Sequence, residues 1–157
     1  MLRKIVPELH LNYIKGTAKN AVVQNLRVFL CNLTLAVSKN GLDFKKDRKK
    51  LRVYISSRVL KHVYDKRPAE EYDFLIENLH LIVKYPDNVY KNKNGKRGNF
   101  CFTKIINVQK YFCSLELIET DATTKELEVV TFFRVPKEKY LDSYMLLWSW
   151  RDDAPSS

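Results

Sequence analysis

The chain is poor in glycine, with only 4 among 157 residues. No glycine-rich nucleotide loop and no nucleophile elbow is present, which argues against P-loop enzymes and against hydrolases built on that elbow. Cysteine is also scarce, and Cys31, Cys101 and Cys113 lack the paired spacing of zinc ligands. Because pairing any two would leave an odd thiol, the cysteine usage predicts a reducing, cytoplasmic location.

Long uninterrupted apolar runs are missing as well. The most apolar segment, residues 21–37, is too short to span a bilayer with ease. It is also interrupted by polar residues, namely Gln24, Asn25, Arg27 and Asn32. Its apolar positions recur at helical spacing and Gly41 follows, so we predict a packed helix here and no membrane partner.

Acidic residues are too few to balance the charge, which is formally +10 from 28 Lys and Arg against 18 Asp and Glu. The excess is polarised, since residues 1–50 hold 11 basic and 3 acidic residues, whereas residues 101–157 hold 7 and 9. Clustered cations gain binding energy from counterion release on a polyanion. The charge therefore favours a nucleic-acid partner, although an ordinary basic protein would show the same total.

The pattern along the chain predicts an α+β fold. Residues 51–56 alternate as a short strand, and two helices follow, the first ending before Pro68 and the second continuing to about residue 85. Four further strands are predicted at residues 88–92, 99–106, 111–119 and 127–135, with connections short enough for an antiparallel sheet. Residues 137–150 show helical spacing and predict a C-terminal helix. We thus expect a helical extension over 1–50, a main domain over 51–150 and a flexible tail over 151–157.

His62 is the residue that best suits proton transfer. It lies in the predicted helix between Lys61 and Lys66, with Arg67 just beyond. An imidazole titrates at roughly pH 6.5 when unperturbed, so it can take or give a proton near neutrality. Taken alone, His62 would more often be an ordinary exposed helix histidine, and His80 and His10 are given no chemical role.

The turn at residues 93–99 is the second basic feature. It carries Lys93, Lys96 and Arg97 beside two glycines, and Lys104 follows on the next strand. Glycines allow backbone amides to approach a phosphate, and a guanidinium matches its oxygens in a planar fork. The alternative is a plain solvated turn, which Asn-Gly alone would explain.

Thr131 and Arg134 lie in the last predicted strand. Strict alternation puts them on opposite faces of the sheet, so both can line one site only if a bulge or the strand end intervenes. A carboxylate and magnesium site is not favoured, because the position two residues after Glu116 is Ile118 where such nucleases require lysine. We therefore predict no metal and no cofactor.

Four segments together carry a family resemblance. They are the run from Ile55 to Asn92, the later KRGNFCFTK, the YFCSLELIE strand and VVTFFRV. In this order they resemble the phage-type nucleases of the barnase, EndoU, colicin and RelE (BECR) superfamily, over about residues 52 to 135. The resemblance implies a metal-independent endoribonuclease that cuts RNA by attack of a 2′-hydroxyl, encoded by a phage or mobile element.

The resemblance also implies roles for individual residues. His62 would be the general acid or base, Arg97 or Lys104 the cation on the scissile phosphate, and Thr131 a hydroxyl that positions it. Independently of the resemblance, positive charge predicts that the basic residues named above bind substrate, namely Lys61, Lys66, Arg67, Lys93, Lys96, Lys104 and Arg134. The second proton-transfer group has no match, because Arg67 is followed at once by Pro68.

Two other functions stay open. The same basic fold would serve a non-catalytic RNA or DNA-binding module, with tyrosines and phenylalanines stacking on bases. It would also serve an interaction protein that binds an acidic antitoxin, immunity or phage protein, and small toxic nucleases need such a partner too.

Overall fold

The computed structural model describes residues 4–38, 51–92, 99–119 and 125–153. The helices are α1 (Ile5–Tyr13), α2 (Ser57–Lys66), α3 (Ala69–Lys84) and the four-residue α4 (Trp150–Asp153). The first strands are β1 (Arg27–Asn32), β2 (Arg52–Ser56) and β3 (Asn88–Lys91). The remaining strands are β4 (Phe100–Ile106), β5 (Gln109–Glu119), β6 (Lys125–Arg134) and β7 (Met145–Ser149), with a 3₁₀ turn at Glu138–Leu141.

One seven-stranded sheet organises these elements, in the order β1-β2-β6-β5-β4-β3-β7. The α+β class is confirmed, but the prediction of a four-stranded antiparallel sheet is wrong in detail. Strands β3 to β6 do form consecutive hairpins. Strand β2, however, joins β6 in parallel, and β1 and β7 add the two edges.

The helix predicted over residues 21–37 is wrong. Residues 27–32 form β1, which pairs with β2 and buries Leu30 and Cys31. Four or more apolar residues in a row satisfy helical and strand spacing equally well, so the choice depends on an available partner strand. Here β2 supplies that partner. The predicted boundary at residue 50 stays a prediction, and β1 and β2 pair across it.

The predicted C-terminal helix is also wrong. Residues 145–149 form β7, which pairs with β3 and places Trp148 opposite Val89 in the core. Tyr140 and Tyr144, which suggested helical spacing, instead lie in an aromatic cluster with Phe112 and Phe133. Tertiary pairing therefore overrides the local pattern at this edge.

The two predicted helices after β2 are confirmed. Ser56 caps α2, since its hydroxyl accepts a hydrogen bond from the Val59 amide at 3.2 Å. The helix ends before Pro68, and α3 begins at Ala69. Both helices pack against the sheet and share one core with its strands. This arrangement fixes α2 beside β6.

Strand β6 is irregular near its middle. In its ladder with β5, Ser114 faces Thr131 and Leu115 faces Val129, so Val130 is an extra residue. A β-bulge of this kind turns the extra side chain away from the regular alternation. Val130 consequently faces α2, where it contributes to the cavity described below.

Candidate active site

His62 lies at the centre of the exposed side of α2. Arg58 precedes it by four residues and Lys66 follows it by four, and all three side chains are exposed. Residues four apart on a helix are neighbours on one face. The three side chains form a stripe, here called the α2 stripe, in which an imidazole is flanked by two cations.

A shallow cavity of about 390 Å³ adjoins this stripe. Its lining residues come from the segment after α1, from α2 and from β6: Asn20, Ala21, Arg58, Val59, Lys61, His62, Asp65 and Val130. The bulge supplies Val130, and β2 pairs with β6 only at residues 126–128. The cavity therefore lies between α2 and the stretch of β6 after residue 128, where β6 is no longer paired with β2.

Lys61 lines the cavity and contacts the segment around Ala18. Its side chain is almost fully buried, and its ammonium donates to Ala18 O at 2.7 Å and to the Asp65 carboxylate. The Asn20 amide also donates to Asp65, at 3.0 Å. Burial acts to raise the pKa of Asp65, but the hydrogen bonds from Lys61 and Asn20 outweigh it and lower the pKa. Lys61, predicted from the sequence to bind substrate, is thus a buried ion-pair residue.

Arg67 and Arg134 lie on either side of Glu71. Arg67 Nε is 4.0 Å from Glu71 Oε2, and Arg134 Nε is 3.8 Å from Glu71 Oε1. The Arg67 guanidinium also lies over the Phe133 ring, 4.7 Å from its centroid. Tyr111 faces Arg134 in the β5–β6 ladder. We call Arg67, Glu71 and Arg134 the Glu71 cluster.

The sequence reasoning missed Glu71. An acid in the first turn of a helix is ordinarily explained by the positive end of the helix dipole, and Glu71 lies in the first turn of α3. Spacing alone gave no signal for the contact with Arg67, because Arg67 has an extended backbone between α2 and α3 and the i,i+4 neighbour rule applies within one helix.

Thr131 is separated from Arg134 as strict alternation predicts. It is nearly buried and faces Ser114 across the ladder, whereas Arg134 reaches Glu71 on the helix-covered face. The neighbouring Phe133 belongs to the aromatic cluster on Thr131's face. Because the bulge precedes Thr131, it does not bring the threonine and the arginine onto one face.

Lys104 contacts the turn just before β3. Its ammonium donates to Tyr85 O at 2.7 Å and lies 3.4 Å from an Asp87 carboxylate oxygen. Strand β5 lies between its strand and β6. Lys104 thus anchors the turn that leads into β3. Lys93, Lys96 and Arg97 lie outside the described residues.

Two features are absent from the described residues. Within those residues, no group of three or more His, Cys, Asp and Glu side chains is placed to hold a metal ion. No helix in the described part of the chain has the length and apolar character needed to cross a membrane.

Comparison with known proteins gives one match. A family model described as "phage-Barnase-EndoU-ColicinE5/D-RelE like nuclease3" matches residues 35–142, which is more than half of the 157-residue chain. The matched range includes α2, α3 and strands β2 to β6. The α2 stripe and the Glu71 cluster lie inside it. No curated protein and no solved structure matches the chain.

Proposed function

The chain belongs to the phage-Barnase-EndoU-ColicinE5/D-RelE like nuclease family, and from that premise we propose that it is a metal-independent endoribonuclease with its active site along α2. The family accounts for nuclease activity in general. The RNA substrate, the independence from metal and the role of His62 are our proposals.

The exposure of His62 between two cations is the observation that carries the proposal. A general acid or base must reach its substrate, and His62 lies on the surface beside a cavity rather than within the core. Arg58 and Lys66 supply positive charge within one turn on either side. An imidazole of His62 buried in apolar packing could not have served as the general acid or base.

The chemistry that these groups support is an in-line attack by a ribose 2′-hydroxyl on the adjacent phosphate. A base removes the hydroxyl proton, nearby cations stabilise the charge that develops on the phosphorane oxygens, and an acid protonates the departing 5′ oxygen. His62 performs one of the two proton transfers. The products are a 2′,3′-cyclic phosphate and a free 5′-hydroxyl, and no metal ion enters any step.

The test is incubation of the purified protein with RNA and with DNA of the same sequence in buffer containing EDTA, followed by analysis of product ends. We expect RNA to be cut, with 2′,3′-cyclic phosphate ends, and DNA to remain intact. Cleavage that stops on chelation, or products with 5′-phosphate ends, would contradict the proposed mechanism.

The competing function is a basic binding module without turnover. The formal charge of +10 supports it as well as it supports an enzyme. Salt-dependent RNA binding without strand scission in the same assay would favour this alternative. The predicted acidic protein partner is likewise a proposal, supported by the same charge, and co-purification of a strongly acidic protein with the full chain would test it.

A further inference from the structure

A second cavity, here called the α1–α3 cavity, is lined by residues within 4–7, 29–32 and 76–84. Its volume is about 370 Å³, inside the range of roughly 300–1,000 Å³ that is typical of small-molecule sites. It shares no lining residue with the cavity beside His62. Two of its three walls, α1 and β1, precede residue 35, where the family match begins. Nuclease family membership therefore does not account for this cavity.

The walls of the α1–α3 cavity are mainly apolar. The first turn of α1, strand β1 and helix α3 supply these side chains: Ile5, Val6, Pro7, Phe29, Leu30 and Ile76. Close packing leaves few hollows of this size in proteins. A polar ligand without an apolar part would lose its hydration against such walls and gain no hydrogen bonds in return. The surface therefore favours a ligand whose larger part is apolar.

Strand β1 borders the cavity but does not offer a regular edge to another strand. Its ladder with β2 shifts register between Phe29 and Cys31, so Leu30 is an extra residue. The bulge turns the consecutive side chains of Leu30 and Cys31 into the core, where both are buried. Bulges protect edge strands from pairing with further strands. A compact ligand is therefore favoured over an extended polypeptide that would add to the sheet.

The two ends of the cavity differ in charge. At one end Lys4 Nζ lies 3.4 Å from Glu77 Oε2, so the two charges compensate each other. Lys84 lies two turns further along α3, roughly 10 Å away along the helix axis. None of the salt bridges between described residues includes Lys84. The second end of the cavity therefore carries a positive charge that no described carboxylate compensates.

Two titratable groups that line the cavity, Cys31 and His80, are neutral at pH 7. Burial raises the pKa of the Cys31 thiol to about 12, against the opposing effect of Lys84. Burial also lowers the pKa of His80, with Glu77 opposing and Lys84 adding to that effect. Because Lys84 acts on both groups, its ammonium lies close to the cavity. Neither group competes with a ligand for its charge.

A monoanion with an apolar body matches this arrangement. The ammonium of a lysine is a compact point charge, which is complementary to a single carboxylate. We propose that the α1–α3 cavity is a binding site for medium-chain aliphatic carboxylates, with the chain between α1 and α3 and the carboxylate on Lys84. Such a ligand contacts β1 and both helices at once and stabilises the folded protein by mass action. The site lies apart from α2 and does not depend on nuclease activity.

The test compares three ligands that share one ten-carbon chain, namely decanoate, decan-1-ol and decylammonium. The full-length protein is titrated with each ligand below its micelle-forming concentration, and the chemical shifts of backbone amides are followed by NMR. Decanoate should bind saturably, with shifts centred on α1, β1 and α3. Its affinity should exceed that of decanol about tenfold or more, because the alcohol lacks the charge-assisted contact. Decylammonium should bind more weakly still, since it meets Lys84 with like charge.

Two results with the parent protein would overturn the proposal. The first is equal affinity for decanoate and decanol, or binding of decanoate that does not saturate. The second is a shift of the same amides when the protein alone is concentrated, which would show that a second copy of the chain covers the cavity.

Variants assign the preference to one ammonium. Lys84→Glu should reverse the order, so that decylammonium binds more tightly than decanoate, and Lys84→Met should bring decanoate and decanol within about twofold. Lys139→Met, at an exposed position that does not line the cavity, should keep the parental ratio. Decanoate preference that persists in Lys84→Glu would overturn the proposal. If that variant does not fold, Lys84→Met keeps the apolar stem, and persistence of the preference there has the same consequence.

Discussion

Replacement of Lys61 by methionine tests whether this residue is an ion-pair residue or a substrate ligand. Methionine keeps much of the apolar stem but removes the ammonium, so Ala18 O loses its donor and Asp65 keeps only the Asn20 amide. Lost hydrogen bonds to a buried ion pair of this kind cost about 2 kcal/mol of unfolding free energy. For a chain of this length, that corresponds to a fall in Tm of roughly 4–8 °C.

The assay is urea and thermal unfolding of Lys61→Met beside Lys66→Met, which removes an exposed lysine from the same helix. Because the folded-state pKa of Asp65 is lowered, its stabilising contribution is complete above its unfolded value and is lost as pH falls through the folded value. The difference in stability between parent and Lys61→Met should therefore stay constant from pH 7 down to the unfolded value of 3.8 and narrow as pH falls below it. Equal stability of the two proteins at pH 7, together with weaker RNA binding, would refute this assignment and return Lys61 to the substrate.

Three further results are expected. Arg58→Ala and Lys66→Ala should each weaken RNA binding and reduce its salt slope by about one, while Lys137→Ala does not, as measured by fluorescence anisotropy at several salt concentrations. Burial raises the pKa of all three cysteine thiols, two of them to about 12, so iodoacetamide at pH 8 should modify them only in urea, as mass spectrometry will show. Burial also lowers the pKa of His10 and His80. Below pH 6.5 the unfolded chain then binds more protons than the folded protein, so the free energy of unfolding, measured in urea, should decrease as pH falls. The decrease should be less steep in a His10→Asn, His80→Asn double variant.

The sequence predicts the parts of the fold that local chemistry determines. A stop at Pro68 and short connections between strands predict the boundary between α2 and α3 and the hairpins from β3 to β6. The two sheet edges escaped prediction because their apolar residues fit either period. Only the pairing of β1 with β2, and of β7 with β3, decides between helix and strand.

The same distinction between local pattern and long-range contact applies to the candidate site. His62 and Lys66 were predicted from residue type and helical position, and the structure exposes both on one side of α2, where the unpredicted Arg58 joins them. The burial of Lys61 was not predictable because its hydrogen-bond acceptor, Ala18 O, lies 43 residues away, and the approach of Glu71 to Arg134 was not predictable because Arg134 lies in a distant strand. Long-range contacts of this kind leave no local pattern in the chain.

The central claim is tested most directly by the rate of RNA cleavage in EDTA for the parent protein, His62→Ala and His80→Ala, measured under single-turnover conditions. We expect His62→Ala to cut about 100-fold or more slowly while binding RNA with nearly parental affinity, because only proton transfer is lost. His80→Ala, on α3 and away from the stripe, should cut at close to the parental rate. Parental cleavage by His62→Ala would contradict the account.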